Sequence, residues 1–327
     1  MEANYNRDYL HQPVLLKEVL SGLNLKPKGI YVDCTVGTGG HSLEILRSCG
    51  HEARLVGFDQ DIYALDVAKQ RLSSYKKQIV LVQENYVNLT QVLKKLRISE
   101  TDGILFDLGA SSLQLDDPQR GFSYRYEGPL DMRMNPDKLV TAANLVNKLS
   151  EKELATIISR FSEERWARRV AAFIVQERKR QPIETTTQLV EVIKKAIPAS
   201  ARRTGKHPAK RTFQALRIAL NNELENLAQV LPEAVNMLKP GGRLGVISYH
   251  SLEDRLVKNT FKDLAASCKC PPEFPLCVCN KNALIKQITP QPIVPSPEEI
   301  FRNPRSRSAR LRIAEKLSPV LKRKEES

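Results

Sequence analysis

Three acidic side chains stand at or near the ends of short apolar runs in the first third of the chain. Asp33 lies in Ile30–Cys34, Asp59 follows Leu55–Phe58, and Asp107 follows Gly103–Phe106. Directly after the first run comes Thr35-Val36-Gly37-Thr38-Gly39-Gly40-His41, a glycine-rich turn. Glycines let a backbone approach a ligand closely, and a helix opening there presents unpaired amides to it. Asp59 lies 26 positions beyond Asp33, where a carboxylate at the end of a second strand accepts both hydroxyls of a ribose. Past a third run, Ile79–Val82, stand Asn85 and Tyr86. Polar groups in this order line the carboxyl edge of a parallel sheet, where open α/β folds hold nucleoside-like ligands.

The turn discriminates among such ligands. A dinucleotide fingerprint requires Gly-x-Gly-x-x-Gly/Ala, and counting from Gly37 the third position is Ser42. No Gly-Lys-Ser/Thr phosphate loop is present either. With pyrophosphate ligands disfavoured, S-adenosylmethionine becomes the leading candidate, because it carries ribose and adenine without phosphate. Leu238-Lys239-Pro240-Gly241-Gly242-Arg243 then opens a run Leu244–Ser248, similar to the fifth-strand entry of class I methyltransferases. An ordinary helix–turn–strand connection fits the same residues.

The elements that position these groups follow from periodicity. Short β-branched runs alternating with helical patterns argue for βαβ units around a parallel sheet. Between Asp107 and Leu244 lie far more residues than one helix and a loop need, so something is inserted. Ser150-x-x-Glu153 reads as a capping box, followed by apolar positions Leu154, Ile157, Ile158 and Phe161 at helical spacing. The expected organisation is a methyltransferase core over residues 1–114, an inserted basic helical domain over 115–211, and the rest of the core over 212–327. A helix Thr212–Leu238 is expected to return the chain to the core.

Charge and cysteines bound the partners. The 327 residues carry 51 Lys and Arg against 37 Asp and Glu, a formal charge of +14, which suits a polyanion such as nucleic acid. From Glu151 to Arg211 there are 15 basic and 7 acidic residues. Arg165, Arg168 and Arg169 flank Trp166, and Arg202-Arg203-x-x-Lys206-His207 with Lys210-Arg211 forms a basic loop. The array fits a phosphate backbone and equally a solvated helix face; Trp166 reads as core. A basic tail, Arg302 to Lys324, adds a contact or simply ends the chain. Hydrophobic residues make up 41% without a run long enough to span a bilayer, so a soluble, cytoplasmic protein is expected, not a membrane one. Cys268, Cys270, Cys277 and Cys279 cluster as Cys-x-Cys pairs. Four thiolates can close a zinc site, but this spacing is less typical than Cys-x-x-Cys, and reduced or reversibly oxidised thiols fit as well. No metal is assigned.

Taken together, the motifs resemble one family, the MraW/RsmH methyltransferases. The resemblance runs through His11–Leu16, Asp33–Ser42, Asp102–Ser112, Gln114–Asp117, Arg120–Ser123, Gly128–Met134, His207–Ala209, Arg211–Ile218, Ile247–Arg255 and Asn303–Ala309. It implies a class I, Rossmann-like fold. It also implies methylation of the N4 amine of a decoding-centre cytidine in 16S ribosomal RNA of the small subunit, with S-adenosylmethionine as donor. Another RNA, DNA or a protein is the alternative acceptor. The resemblance implies cofactor contacts at Gly39, Gly40 and His41, at Asp59 on the ribose, at Tyr86 beside the adenine, and at Asp107 and Gln114. Tyr86 and Tyr249 stand where the family often has Phe, and Leu113 where Pro is common. In place of the Asp/Asn-Pro-Pro-aromatic motif of many amino-methyltransferases the chain has Asp107-Leu108-Gly109-Ala110. Asp107 and His250 are thus candidates for the proton acceptor, and the catalytic residue stays unassigned, as does the oligomeric state. Asp33 either holds the ligand's amino group or orders the turn.

Overall fold

A computed structural model describes residues 13–203, 207–268, 270–271, 279 and 281–319. His11, Gln12, Lys206, Cys277 and residues 320–327 lie outside the described residues. The chain runs α1 (Leu16–Gly22), β1 (Ile30–Asp33), α2 (Gly40–Cys49), β2 (Arg54–Asp59), α3 (Ile62–Arg71), β3 (Ile79–Gln83), α4 (Leu89–Lys95) and β4 (Thr101–Asp107). These strands pair in parallel, β1 between β2 and β4 and β3 outside β2. Strands of a parallel sheet are covered on both faces, which is why their sequences are apolar throughout rather than alternating. Successive side chains point to opposite faces. Tyr31, Leu55 and Leu105 join Val19, Ile45 and Leu46 in one buried cluster; Val32, Val56, Ile104 and Phe106 join a second.

From Ala110 to Glu223 the chain forms a separate compact unit of α5 (Ser112–Asp116), α6 (Ala142–Lys148), α7 (Glu151–Ser162), α8 (Ala167–Arg178), α9 (Thr186–Ala196), α10 (Ala199–Arg202) and α11 (Ala209–Asn221). Ser150 and Glu153 cap α7 reciprocally, and the same device opens α6 at Thr141–Asn144 and α9 at Thr185–Gln188. The unit owns a core that includes Leu154, Ile158, Val170, Ile174, Leu189, Ile193, Phe213 and Leu216. Trp166 is partly buried against it, beneath the Arg165 guanidinium.

The boundaries at Ala110 and Glu223 differ from the expected 115 and 211, and one residue explains most of it. The expected helix Thr212–Leu238 is two helices, α11 and α12 (Glu223–Asn236), parted at Asn222 with φ +53°. Asn tolerates this left-handed conformation and ends helices there. Phe213 and Leu216 of α11 then face the helical core, while Leu227, Val230 and Leu231 of α12 cover the sheet.

The sheet is completed by β5 (Leu238–Ser248), α13 (Ser251–Ala265), β6 (Ile285–Gln287), α14 (Pro297–Arg302) and β7 (Arg310–Lys316). Its order is β3-β2-β1-β4-β5-β7-β6, with β7 antiparallel to both neighbours. Much of the expected basic tail is therefore part of the fold. Leu311 and Ile313 are buried on one face of β7, and Arg312, also buried, donates from Nε to Asp254 Oδ1 at 2.7 Å. Arg310 Nη1 donates to Asp254 Oδ2 at 3.0 Å. Among the described residues no helix is long and apolar enough to cross a membrane.

Candidate active site at the carboxyl edge of the sheet

Each strand end delivers one component. After β1 the backbone turns through Gly37 (φ +50°) and Gly39 (φ +79°), the latter being the N-cap of α2. A side chain at Gly39 would be strained by that φ and would press on Leu72 at 3.0 Å. Asp33 is buried beneath the turn and orders it. Thr35 N–H donates to Oδ1 at 3.2 Å and the Ser42 hydroxyl to Oδ2 at 2.7 Å. Thr35 Oγ1 in turn accepts from Asp107 N–H at 2.6 Å, tying the turn to the end of β4.

Asp59 ends β2 and faces the same turn. Gly37 N–H donates to its Oδ2 at 2.9 Å and Asp61 N–H to its Oδ1 at 2.9 Å. Burial nevertheless pushes its pKa up to about 6, with the charges of Asp61 and Asp33 adding to the effect. Asp33 is raised too, by burial first. A site with three carboxylates at adjacent strand ends, and no Lys or Arg between Asp33 and Ser42, repels a pyrophosphate and suits a ligand carrying positive charge. The carboxylate oxygens of Asp59 have lone pairs for a vicinal diol in addition to their backbone partners. S-adenosylmethionine, with its sulfonium, ammonium and ribose, fits this donor and acceptor set. Tyr86, after β3, sets its ring edge-on to Phe106 at 5.5 Å between centroids and supplies an aromatic surface for a base.

At the end of β4, Asp107 meets Tyr249 and His41. The Tyr249 hydroxyl donates to Oδ1 at 2.8 Å. Burial, then the charge of Asp107, holds the Tyr249 phenol well above its ordinary range, so it stays a donor. The Nδ1 of His41 lies 3.6 Å from Oδ2, while the other ring nitrogen, Nε2, is 2.9 Å from the Val14 carbonyl. A carbonyl only accepts, so Nε2 carries the hydrogen and Nδ1 presents its lone pair to the carboxylate. Burial lowers the pKa of His41 and keeps the ring neutral.

Gln114 belongs to the helical unit, where it is buried in α5. Its Oε1 accepts from Ser111 N–H at 3.0 Å, and its own N–H donates to Ser111 Oγ at 3.2 Å, a capping box. His250 is also a cap. Its Nδ1 accepts from Glu253 N–H at 3.3 Å and Nε2 lies 3.1 Å from Glu253 Oε1, at the start of α13. Gly39, Gly40, His41, Asp59, Tyr86 and Asp107 thus share the edge of the sheet unit. Sequence reasoning assigned no role to Thr35 or Tyr249. Register is the signal for the second, since Asp107 pairs with Ile247, two residues before Tyr249.

The architecture is that of a class I methyltransferase sheet, and comparison with known proteins agrees with it. A family model described as the MraW methylase family matches residues 8–317. Proteins named "Ribosomal RNA small subunit methyltransferase H" from Brevibacillus brevis and Halothermothrix orenii are 51% and 52% identical over 94% of this chain and 98% of their own length. The one from Heliobacterium mobile is 53% identical over 95% of this chain and all of its own. The cofactor is S-adenosylmethionine. With a matching model over nearly its whole length and relatives sharing half its residues, the chain belongs to the MraW methylase family.

Proposed function

We propose that this protein transfers a methyl group from S-adenosylmethionine to the N4 amine of a decoding-centre cytidine in 16S ribosomal RNA of the small subunit. The observation that carries the reading is the identity above 50%, over 94% of the chain, to relatives named for methylating small-subunit ribosomal RNA. In this reading Gly39, Gly40 and His41 frame the methionine end of the cofactor, Asp59 holds the ribose, Tyr86 flanks the adenine, and Asp107 and Gln114 complete the site.

When bound, the cofactor supplies an electrophilic methyl on a good leaving group. The protein's task is alignment and handling of one proton. A cytosine amine is a poor nucleophile because its lone pair is delocalised into the ring, so holding N4 in line with the methyl contributes most. Asp107 is the acceptor for an N4 hydrogen. One of its oxygens is committed to Tyr249, and the other faces the lone pair of His41 across 3.6 Å. At 3.6 Å the two acceptors are not hydrogen-bonded to each other, and a proton arriving on either would draw them together. The His41–Asp107 pair therefore receives the proton that the amine loses. The target amine is stacked or paired in folded RNA, and an unstacked base is needed to reach it. The exposed Arg165, Arg168 and Arg169 of the helical unit provide charge for the surrounding backbone.

The test is methyl transfer from labelled S-adenosylmethionine to small ribosomal subunits lacking the modification, followed by nucleoside mass spectrometry. N4-methylcytidine is expected in the product and is expected to vanish in an Asp59→Ala variant. Cofactor binding without transfer to these subunits would overturn the assignment and move the acceptor to another RNA, DNA or a protein.

A further inference from the structure

Between the end of α13 and the start of β6, three thiols converge. Cys268, Cys270 and Cys279 bring their sulfurs within 4.8 Å of one another, and the sulfurs of Cys268 and Cys279 are 3.8 Å apart. None of the three is in a disulfide, and a bonded pair would stand at about 2.05 Å. The spacing matches something else. With zinc–thiolate bonds of about 2.3 Å, the edge of a tetrahedron of sulfurs is about 3.8 Å.

The surroundings are those of a sulfur site. Cys270 N–H donates to Cys268 Sγ at 3.3 Å. The nearby ammonium of Lys281 is committed to Asp263, whose backbone oxygen and Oδ1 (3.4 Å) it contacts. Among the described residues no carboxylate joins the three sulfurs as a ligand. Hard cations such as magnesium and calcium require oxygen, whereas thiolates select zinc and other soft or borderline ions. Three thiolates this close repel one another, and a divalent ion removes the conflict.

The position in the fold says what such an ion does. Tyr249 and His250 stand at the N-terminal end of α13, and the thiols follow its C-terminal end, a helix length of roughly 20 Å away. The outer ends of the connection are already joined, Leu284 N–H donating to the Leu264 carbonyl at 2.8 Å. A bound ion would add a second tie inside this one, joining Cys268 and Cys270 to Cys279. We propose that Cys268, Cys270 and Cys279 hold one zinc ion, a structural clip on the connection from α13 to β6 and remote from the methyl-transfer chemistry. The fourth corner of the tetrahedron takes a water or another side chain.

The experiment uses the full chain, purified in reducing buffer without chelators. Metal analysis and native mass spectrometry are expected to find one zinc per chain. Replacement with cobalt(II) is expected to produce thiolate-to-cobalt charge-transfer absorption and the strong visible bands of tetrahedral coordination. Cys268→Ser/Cys279→Ser is expected to lower zinc occupancy at least tenfold while S-adenosylmethionine still binds. Cys270→Ser alone is expected to weaken zinc affinity, which guards against a misfolded double variant. A reduced chain that takes up no zinc from excess, or a double variant that keeps its full zinc, would overturn the proposal. So would a Cys268–Cys279 disulfide in protein kept reduced.

Discussion

Asp59 is held for a ligand at a cost to the empty protein. Its pKa of about 6 lies above the ordinary carboxylate value of about 3.9. A carboxyl raised on folding contributes stability below its unfolded value and loses it as pH rises through the folded one. At pH 7 the ionised, buried group therefore destabilises the unliganded protein by roughly 2–3 kcal/mol. Asp59→Asn removes the charge but turns an amide NH2 towards one of the two backbone N–H groups, of Gly37 or Asp61, that the carboxylate accepts from, so it is expected to leave the thermal midpoint of the unliganded protein at pH 7 nearly unchanged. It is also expected to weaken S-adenosylmethionine by about 10–100-fold, since charge-assisted hydrogen bonds contribute about 1.5–3 kcal/mol; calorimetry reads both. The ionised carboxylate accepts more strongly, and from both ribose hydroxyls, than the protonated acid, so affinity is expected to be greatest above pH 6 and to fall below it, by up to about tenfold per pH unit. A flat affinity between pH 5 and 7.5 would contradict this. Tyr249→Phe removes one donor from Asp107 while leaving the Thr35 tie to its backbone. Turnover is expected to fall by up to about tenfold with cofactor affinity unchanged, and the pH–rate profile to move upward as Asp107 becomes more basic.

At the scale of elements, the three strand-end carboxylates were legible in the sequence because a buried strand and its terminal acid are written in consecutive residues. The helices of the insert were legible where a capping box announced them, as at Ser150. What escaped was long-range. No local signal tells that Asn222 adopts φ +53° and divides a continuous apolar pattern between two cores. Nor does local pattern show that Arg310 and Arg312, within a run of basic residues, belong to a strand whose neighbour helix presents Asp254. Basic composition alone does not distinguish a structural arginine from one that meets a phosphate; exposure does. Arg168 and Arg169 are exposed on α8, whereas Arg312 is buried. Arg168→Ala/Arg169→Ala is expected to weaken RNA methylation. The slope of log affinity against log salt should flatten by about 0.7–0.9 per lost phosphate contact, with cofactor affinity unchanged. Equal slopes for variant and wild type in a filter-binding titration would count against this role.

At the scale of the whole molecule, two units with separate cores share one chain. The implied cofactor contacts other than Gln114 lie in the sheet unit, so binding acts on that unit's stability. At a concentration of about 100 times Kd, S-adenosylmethionine is expected to stabilise it by about 2.7 kcal/mol. Scanning calorimetry with and without the cofactor should show that transition moving and the one belonging to the helical core moving less. A further consequence concerns synthesis. The helical unit is one contiguous segment, whereas the sheet draws its last strand from Arg310–Lys316 and places it between β5 and β6. During translation the helical core is therefore complete while the edge of β5 still awaits its partner. Unpaired edges are where nascent chains misassociate. Until Arg310–Lys316 has been made and seated beside β5, the enzyme carries a sticky edge of its own making.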